Sequence, residues 1–195
     1  MLGKSYCNAA HLFLDFRLPN EFLFRFQRHL RLPIEEPTPM SLDHFDLALL
    51  EAIQQDATTS QQDLGARVNL SSAAVNRRLK KLKEDGLVRQ TVALVDPVRL
   101  GYGLTVIAEV EVENERLDLL DAMKRTFLAC PQVQQCYYVA GECDFVLILA
   151  VRNMEQYTEL TRTLFFQSNN VKRFKTLVSM SNVKVGLAVP VTDPA

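Results

Sequence analysis

Five cations lie between Arg77 and Lys83 in the stretch "VNRRLKKLK", and no carboxylate interrupts them. Lys and Arg side chains neutralise phosphates, and Arg and Asn can also form paired hydrogen bonds with the edges of guanine and adenine. The whole chain has a formal net charge of -1, so it is not a basic protein. Any attraction to a polyanion must therefore come from this local concentration of positive charge.

The spacing around these cations predicts a helix with one buried stripe. Advancing roughly 100° per residue from Val75, Leu79 and Leu82 fall on the same side, and Arg78 lies at the edge of that stripe. The opposite side begins with small or polar residues and continues with cations. The residues predicted to contact DNA are Ser71, Ser72, Ala73, Asn76, Arg77, Lys80, Lys81 and Lys83.

The predicted contacts differ in kind along this helix. Small Ala73 permits close approach to a groove, whereas Asn76 and Arg77 can read base edges. The three lysines are expected to bind phosphates without reading sequence. The alternative interpretation of this face is a solvated basic surface, which is common on helices. For Arg78, at the edge of the buried stripe, a structural role is the alternative to DNA contact.

The elements before this helix favour the DNA interpretation. A first amphipathic helix is marked by Leu42, Phe45, Leu49 and Ile53. A second helix begins at Ser60, where Asp63 completes a sequence typical of a capping box. A turn at Asn69 follows, and Asn tolerates the left-handed conformation that such a turn requires. The third helix is capped by Ser71 or Ser72 and ends at Gly86, so the order predicts a helix-turn-helix.

The second half of the chain alternates between strand and helix patterns. In "LTVIAEVEVE" the residues Val106, Ala108, Val110 and Val112 share one face, which is typical of a half-buried strand. A helix, two strands joined at Gly141, a helix capped by Asn153 and a last strand "VKRFKTLVSM" follow. This βαββαβ order predicts a ferredoxin-like sheet with helices on one face. Apolar residues on the other face favour packing against a second copy.

The chain therefore divides into an extension of uncertain order at 1–39, a winged helix-turn-helix domain with a connector strand at 40–101, and a βαββαβ domain at 102–191. The fold class is α+β, with an all-α core in the first domain. The extension is rich in Phe, Leu and Arg. Either it packs on a partner or it adds no folded unit, in which case Met40 is a plausible start.

Other features limit the class of protein. Cys7, Cys130, Cys136 and Cys143 show neither CxxC spacing nor a nearby His, so we expect reduced thiols and no metal site. No run of about 18 apolar residues and no signal-peptide pattern occurs, so the expected location is the cytoplasm, at the nucleoid. No nucleophile or phosphate-loop motif is present, which gives no catalytic residue and no cofactor.

Several motifs in order make the sequence resemble the Lrp/AsnC (feast/famine) transcriptional regulators, from about Leu42 to Val191. The matching segments are "LDHFDLALLEAIQQD", "VNLSSAAVNRRLKKLKEDGLV", "LVDPVRLG", "PQVQQCYYVAGECDF" and "VKVGLAVPV". Two positions depart from the family pattern in the helix-turn-helix. Asn69 replaces the usual Gly of the turn, and Gly65 replaces the usual Ala, which should cost some helix stability.

The resemblance implies a regulator that binds double-stranded DNA as a homodimer or higher oligomer. It also implies that the βαββαβ module, the RAM domain of the family, binds an effector, typically an amino acid. The residues that carry this expectation are Gly141, Asp144 and Thr176. The residues alone favour a hairpin turn for "GECD", and only the resemblance implies the effector role. Cys143 stands where the family is often aromatic, and Phe174 takes a position where a hydroxyl often holds the ligand.

Two other classes remain as alternatives. One is an architectural DNA-binding protein whose second domain oligomerises without an effector. The other is a decarboxylase-type enzyme that shares the architecture; such enzymes keep a His-rich region in the second domain, and this chain has no His after His44. The sequence therefore predicts a DNA-binding transcriptional regulator rather than an enzyme.

Overall fold

The computed structural model describes residues 41–167 and 170–191. Contacts divide these residues into two compact units. The first unit combines residues 41–95 with residues 182–191, and the second unit lies within Asp96–Ser181. The predicted extension at 1–39 lies outside the described residues. In the part of the chain that the structure describes, no helix has the length and apolar character needed to cross a membrane.

Three helices form the first unit. They are α1 (His44–Gln55), α2 (Gln61–Val68) and α3 (Ser72–Glu84). Leu49, Leu64 and Val75, one from each helix, are almost completely buried and pack together with Ala52. Within each helix the apolar residues recur at helical spacing, as Leu49, Ala52 and Ile53 do in α1. Burial of one apolar stripe per helix therefore accounts for the bundle. The predicted helix-turn-helix is confirmed.

Side-chain caps fix where these helices begin. Ser71 is the cap of α3, and its hydroxyl accepts the Ala74 N–H at 3.2 Å. Ser60 accepts the Asp63 N–H at 3.1 Å, but its hydroxyl donates to the Asp63 carboxylate at 2.7 Å. The reciprocal capping box lies instead at α1. There Asp43 and Asp46 each accept the other's backbone N–H.

The turn between α2 and α3 depends on two unusual backbone positions. Asn69 has φ 55° and ψ 43°, the left-handed conformation predicted for it. Gly65 is buried in α2, and a Cβ built on it would lie 2.4 Å from the carbonyl oxygen of Leu70. The close approach of the turn therefore requires glycine at position 65. This requirement outweighs the lower helix propensity of glycine.

Helix α3 ends as the sequence predicts. Gly86 has φ 77°, and the N–H groups of Gly86 and Leu87 bond back to the last carbonyls of the helix. The connector at 89–96, where the sequence predicts a strand, contains neither helix nor strand. Its apolar side chains face solvent, with Val92 58% exposed and Leu94 88% exposed.

The second unit is a four-stranded antiparallel sheet with helices on one face. Its elements are β1 (Leu104–Val112), α4 (Leu117–Ala129), β2 (Val133–Tyr138), β3 (Phe145–Val151), α5 (Met154–Thr161) and β4 (Val171–Val178). The strand order is β2-β3-β1-β4. This topology confirms the predicted ferredoxin-like βαββαβ arrangement and the α+β class.

The alternating pattern of β1 correctly predicts which of its faces is buried. Val106, Ala108, Val110 and Val112 are buried against the helices together with the alternate residues of β3. From α4, Leu120, Met123 and Phe127 complete this core. Asn153 caps α5 by accepting the Gln156 N–H at 2.9 Å. Leu164 lies beyond the end of this helix, in a π-helical turn, Arg162–Phe166.

Candidate functional site

The exposed face of α3 carries every residue predicted to contact DNA. Ser71, Ser72, Ala73, Asn76, Arg77, Lys80, Lys81 and Lys83 are all exposed. Val75 and Leu82 are buried, and Leu79 packs beside them, so the opposite stripe faces the core as predicted. The helix is thereby held by one face and leaves the other open to a partner.

The charges of this face are only weakly balanced inside the protein. Lys80 lies 3.7 Å from Glu84, one turn further along, and both side chains are largely exposed. Among residues 41–167 and 170–191, Arg77, Lys81 and Lys83 have no carboxylate partner. Exposed pairs such as Lys80–Glu84 contribute little and are screened by salt. The face therefore keeps most of its positive charge.

Arg78 has a different role from Arg77, its neighbour. Its Nη1 lies 2.8 Å from the carboxylates of both Asp43 and Asp46, and its guanidinium sits 5.4 Å from the centre of the Phe45 ring. The hydrogen bond to Asp46 raises the pKa of Arg78 further. Arg78 therefore ties α3 to the capping box of α1, which confirms the structural role that its position at the stripe's edge suggested.

Asn76 has a polar partner that sequence reading missed. The Gln61 Nε2 donates to the Asn76 Oδ1 at 3.2 Å. Gln61 is the first residue of α2, fifteen positions earlier, so no helical spacing joins the two residues. The only signal in the sequence is a Gln at the start of the helix that precedes the predicted reading helix.

The predicted effector loop, 139–144, joins β2 to β3. Asp144 is 1% exposed, and its Oδ2 accepts the backbone N–H of Val112 at 2.7 Å. Its own N–H donates to the Val110 carbonyl, and its carbonyl accepts from Val139. The register of β1 against β4 shifts between Glu111 and Val112. Asp144 therefore satisfies a backbone donor at an irregularity of β1, which is a structural function.

Thr176 lies on β4, on the face that the helices cover. Its hydroxyl lies 2.7 Å from the hydroxyl of Tyr157, a buried residue of α5. Burial raises the pKa of the Tyr157 phenol, so this phenol stays protonated and remains a hydrogen-bond partner at neutral pH. Tyr157 is a functional candidate that the sequence pattern did not indicate.

Phe174 occupies the space beside Thr176 on β4. Its ring centre lies 4.5 Å from that of Phe165 and 5.6 Å from that of Phe166. The three rings close the region between β4 and the π-helical turn.

The predicted effector residues do not form one cluster in the folded domain. Asp144 adjoins the β3 side of β1, whereas Thr176 pairs with Ala108 on its β4 side. With strands about 4.8 Å apart, the two side chains are separated by roughly 10 Å across the sheet. Gly141 is in the loop with Asp144 and is half-buried. An effector role for these residues stays a prediction.

Cysteines and metal ligands add no further centre in the described part of the chain. Cys130, Cys136 and Cys143 form no disulfide there. Burial raises the pKa of the Cys136 thiol, which disfavours its thiolate. No group of three His, Cys, Asp or Glu residues is placed to hold a metal ion among the described residues.

Comparison with known proteins identifies the two units. The model of the winged helix-turn-helix DNA-binding domain matches residues 42–89, and that of the Lrp/AsnC ligand binding domain matches residues 105–189. The HTH-type transcriptional regulator y4tD of Sinorhizobium fredii is 40% identical over 152 residues, which cover 78% of this chain and 90% of that protein. The chain belongs to the Lrp/AsnC family of transcriptional regulators.

Further relatives share this architecture along nearly their whole length. The glutamate uptake regulatory protein of Zymomonas mobilis is 30% identical over 78% of this chain and 92% of its own. The crystal structure of an AsnC family transcriptional regulator from Agrobacterium tumefaciens superposes with a TM-score of 0.73. It is 25% identical and covers 77% of this chain and 97% of its own.

The NMB0573/L-Met complex from Neisseria meningitidis has the same fold, with a TM-score of 0.73 at 24% identity. It covers 77% of this chain and 97% of that one. This chain is thus a DNA-binding transcriptional regulator of the Lrp/AsnC family, and it has the ligand-binding domain of that family. The predicted family, fold class and general function are confirmed.

Proposed function

We propose that this regulator reads DNA through the exposed face of α3, with Asn76 and Arg77 at base edges and Lys80, Lys81 and Lys83 at phosphates. The observation that carries this proposal is the cationic face without carboxylate partners at Arg77, Lys81 and Lys83 among the described residues, on the second helix of a helix-turn-helix. Recognition helices enter the major groove with such a face. Contacts to the phosphates then fix the position of the protein on the DNA backbone.

The exposed position of Arg77 gives a direct test of base reading. A library of randomised DNA duplexes is selected on the wild-type protein, and dissociation constants are then measured on the selected duplex and on random duplex. The Arg77→Ala variant should lose about 1–3 kcal/mol on the selected duplex and much less on random duplex. Equal losses on both would reduce Arg77 to a phosphate contact.

Assembly into homodimers and higher oligomers is the second part of the proposal. The sheet face opposite the helices carries Ile107, Val146 and Ile148, with Tyr137 50% exposed at β2. The cross-strand ion pairs between β1 and β4 form the border of this apolar area, as a polar rim surrounds an interface core. The exposed apolar connector at 89–96 offers a second segment for pairing with another copy of the chain.

We also propose that the ligand-binding domain responds to an amino acid and that the regulator acts on the chromosome in the cytoplasm. The Neisseria protein of the same fold forms a complex with L-Met, and a Zymomonas relative is a glutamate uptake regulator. The residues proposed for effector contact are Gly141, Asp144 and Thr176. Gly exposes backbone donors that suit a carboxylate, and hydroxyls can hold either end of an amino acid.

Thermal shift across the twenty amino acids tests the effector. One of them should raise the midpoint of unfolding in the wild type, with a shift that grows with ligand concentration. Thr176→Val keeps the volume and removes the hydroxyl, so it should weaken that shift. Asp144→Ala is the poorer variant, because it also leaves the buried Val112 N–H without its acceptor.

One observation favours an architectural protein that oligomerises without an effector. The Asp144 carboxylate and the Thr176 hydroxyl both have partners inside the chain, and Phe174 fills space beside Thr176. If no amino acid shifts the midpoint while DNA binding and oligomerisation persist, this second candidate replaces the effector proposal.

A further inference from the structure

The hydrogen bond from Gln61 to Asn76 joins the two helices of the DNA-binding motif at the predicted reading face. Gln61 Nε2 is the donor and Asn76 Oδ1 is the acceptor, at 3.2 Å. Both residues are exposed, and Asn76 has no other partner in the part of the chain that the structure describes. The bond therefore acts on a side chain that is otherwise free to rotate.

The core beneath the pair sets this contact. Leu64 follows Gln61 by one helical turn and is 2% exposed, and Val75 precedes Asn76 and is fully buried. Both belong to the cluster that holds α2 against α3. The close approach of Gly65 to the Leu70 carbonyl also holds α2 against the turn that leads into α3. Packing thus fixes the separation of the two backbones that carry these amides and keeps the amides within hydrogen-bond reach of each other.

An amide side chain presents different chemistry at its two ends. A carboxamide has an acceptor oxygen and a donor nitrogen, and rotation by half a turn exchanges them. Because the Gln61 donor engages Oδ1, Asn76 directs its Nδ2 donor away from α2. In the major groove, a donor finds N7 of either purine, O6 of guanine or O4 of thymine.

We propose that Gln61 is a positioning residue for base specificity: its amide holds Asn76 so that the Nδ2 donor faces the groove and selects a base with a major-groove acceptor. This inference rests on the proposed reading role of α3. Gln61 itself need not touch a base. It acts by fixing the orientation of Asn76 before DNA arrives, which lowers the ordering cost of binding.

A double-mutant cycle on the selected duplex tests the coupling. Gln61→Ala should weaken binding to that duplex by about 2–10-fold, the range of one net hydrogen bond. In an Asn76→Ala background the same substitution should have no further effect, because there is no amide left to orient. Losses that simply multiply in the double variant would overturn the proposal.

Gln62 supplies a matched control, because it is exposed, adjacent and of the same type, and forms no hydrogen bond with α3 among the described residues. Gln62→Ala should keep the affinity ratio between selected and random duplex. The dependence of affinity on salt should also be unchanged in Gln61→Ala. A flatter salt dependence would mean that Gln61 binds a phosphate, which overturns the positioning role.

Replacement by glutamate gives a result that a merely structural residue would not produce. The carboxylate that Gln61→Glu introduces only accepts hydrogen bonds, so the Asn76 amide must turn its nitrogen inward and its oxygen outward in this variant. Repeating the duplex selection should then change the preferred base at one position, from one chosen for an acceptor to adenine or cytosine, which present donors. An unchanged selected sequence would overturn the proposal.

The outcomes separate this inference from the proposed function. If Arg77→Ala and Asn76→Ala leave discrimination between the selected and random duplexes intact, α3 does not read bases and both proposals fail. If those variants lose discrimination while the cycle is multiplicative, only the role of Gln61 fails. The midpoint of thermal unfolding, measured for each variant, should stay within a few degrees of the wild type, since both side chains are exposed.

Discussion

Helix α3 and strand β4 both carry closely spaced cations, yet the protein treats them differently. On β4, Lys172 and Arg173 both pair with Glu111 of β1, and Lys175 lies 3.6 Å from Glu109. On α3, the only carboxylate partner of the outward cations in the described chain is Glu84, which lies near Lys80. Similar runs of basic residues thus become a neutralised sheet border in one unit and an open cationic face in the other.

The difference follows from the geometry of the two elements. Strands in register place residues of opposite charge directly across from each other, and the alternating glutamates of β1 lie opposite the cations of β4. A helix has neighbours on its own face only three or four residues away, and α3 places almost no carboxylate at those positions. A charge run in a sequence therefore indicates a polyanion site only after its cross-chain partners are known.

The largest expected effect contrasts the two regions directly. Lys80→Gln/Lys81→Gln/Lys83→Gln should flatten the slope of log affinity against log salt by about 2.7, since each phosphate contact contributes about 0.9. At about 0.15 M salt this corresponds to a loss on the order of 100-fold. Fluorescence anisotropy with a labelled random duplex at several salt concentrations measures both quantities.

The matched control removes the same charge from β4, as Lys172→Gln/Arg173→Gln/Lys175→Gln. It should change DNA affinity by less than about twofold, because those cations are already paired. Equal losses in the two triple variants would mean that total charge, and not its position, governs binding. The contrast between α3 and β4 would then be without functional meaning.

The next effect separates the two neighbouring arginines of α3. Arg78→Ala should lower the free energy of unfolding by about 1–3 kcal/mol, because it leaves Asp43 and Asp46 without their shared cation and exposes Phe45. Arg77→Ala should change it by less than about 0.5 kcal/mol, as expected for an exposed residue. Chemical denaturation of both variants measures this difference, and similar losses would contradict the separate roles.

The smallest effect concerns pH and the paired region. The hydrogen bond from Lys172 lowers the pKa of Glu111 below its usual value of 4.5. A carboxyl with a depressed folded-state pKa stabilises the protein above its unfolded pKa, and this contribution is lost as the pH falls through the folded value.

Glu111→Gln should therefore be less stable than the wild type at pH 7, by up to about 1 kcal/mol. The difference should shrink below about pH 4.5, where the wild-type carboxyl also becomes protonated. Denaturation curves of both proteins between about pH 3 and pH 7 measure it. A difference that stays constant with pH would show that the charge of Glu111 is unimportant.

Local patterns predicted most of the fold because they act over short distances. The apolar spacing around Val75 gave the buried side of α3, and the alternation from Val106 to Val112 gave the inner face of β1. Asn69 in the left-handed turn follows from the few residue types that tolerate this conformation. Such features need only neighbouring residues and a preference for burial.

Contacts between distant elements could not be predicted in this way. Asp144 lies in a motif that suits either a turn or a ligand, and only the fold brings it to Val112, which is 32 residues away in sequence. Likewise, Arg78 meets Asp46 across 32 residues, and Gln61 meets Asn76 across fifteen. In each case the chemistry of the side chain was visible, but its partner depended on how helices and strands pack.

Gly65 has a consequence for how this regulator can change by mutation. Because a single methyl group at this position would meet the carbonyl of Leu70, alanine is barred unless the turn moves as well. Positions 65 and 69–70 are therefore epistatic: substitutions sampled one at a time will score glycine as irreplaceable. Libraries that vary the turn and position 65 together can reach the alternative with alanine in the helix, which single-site scanning never samples.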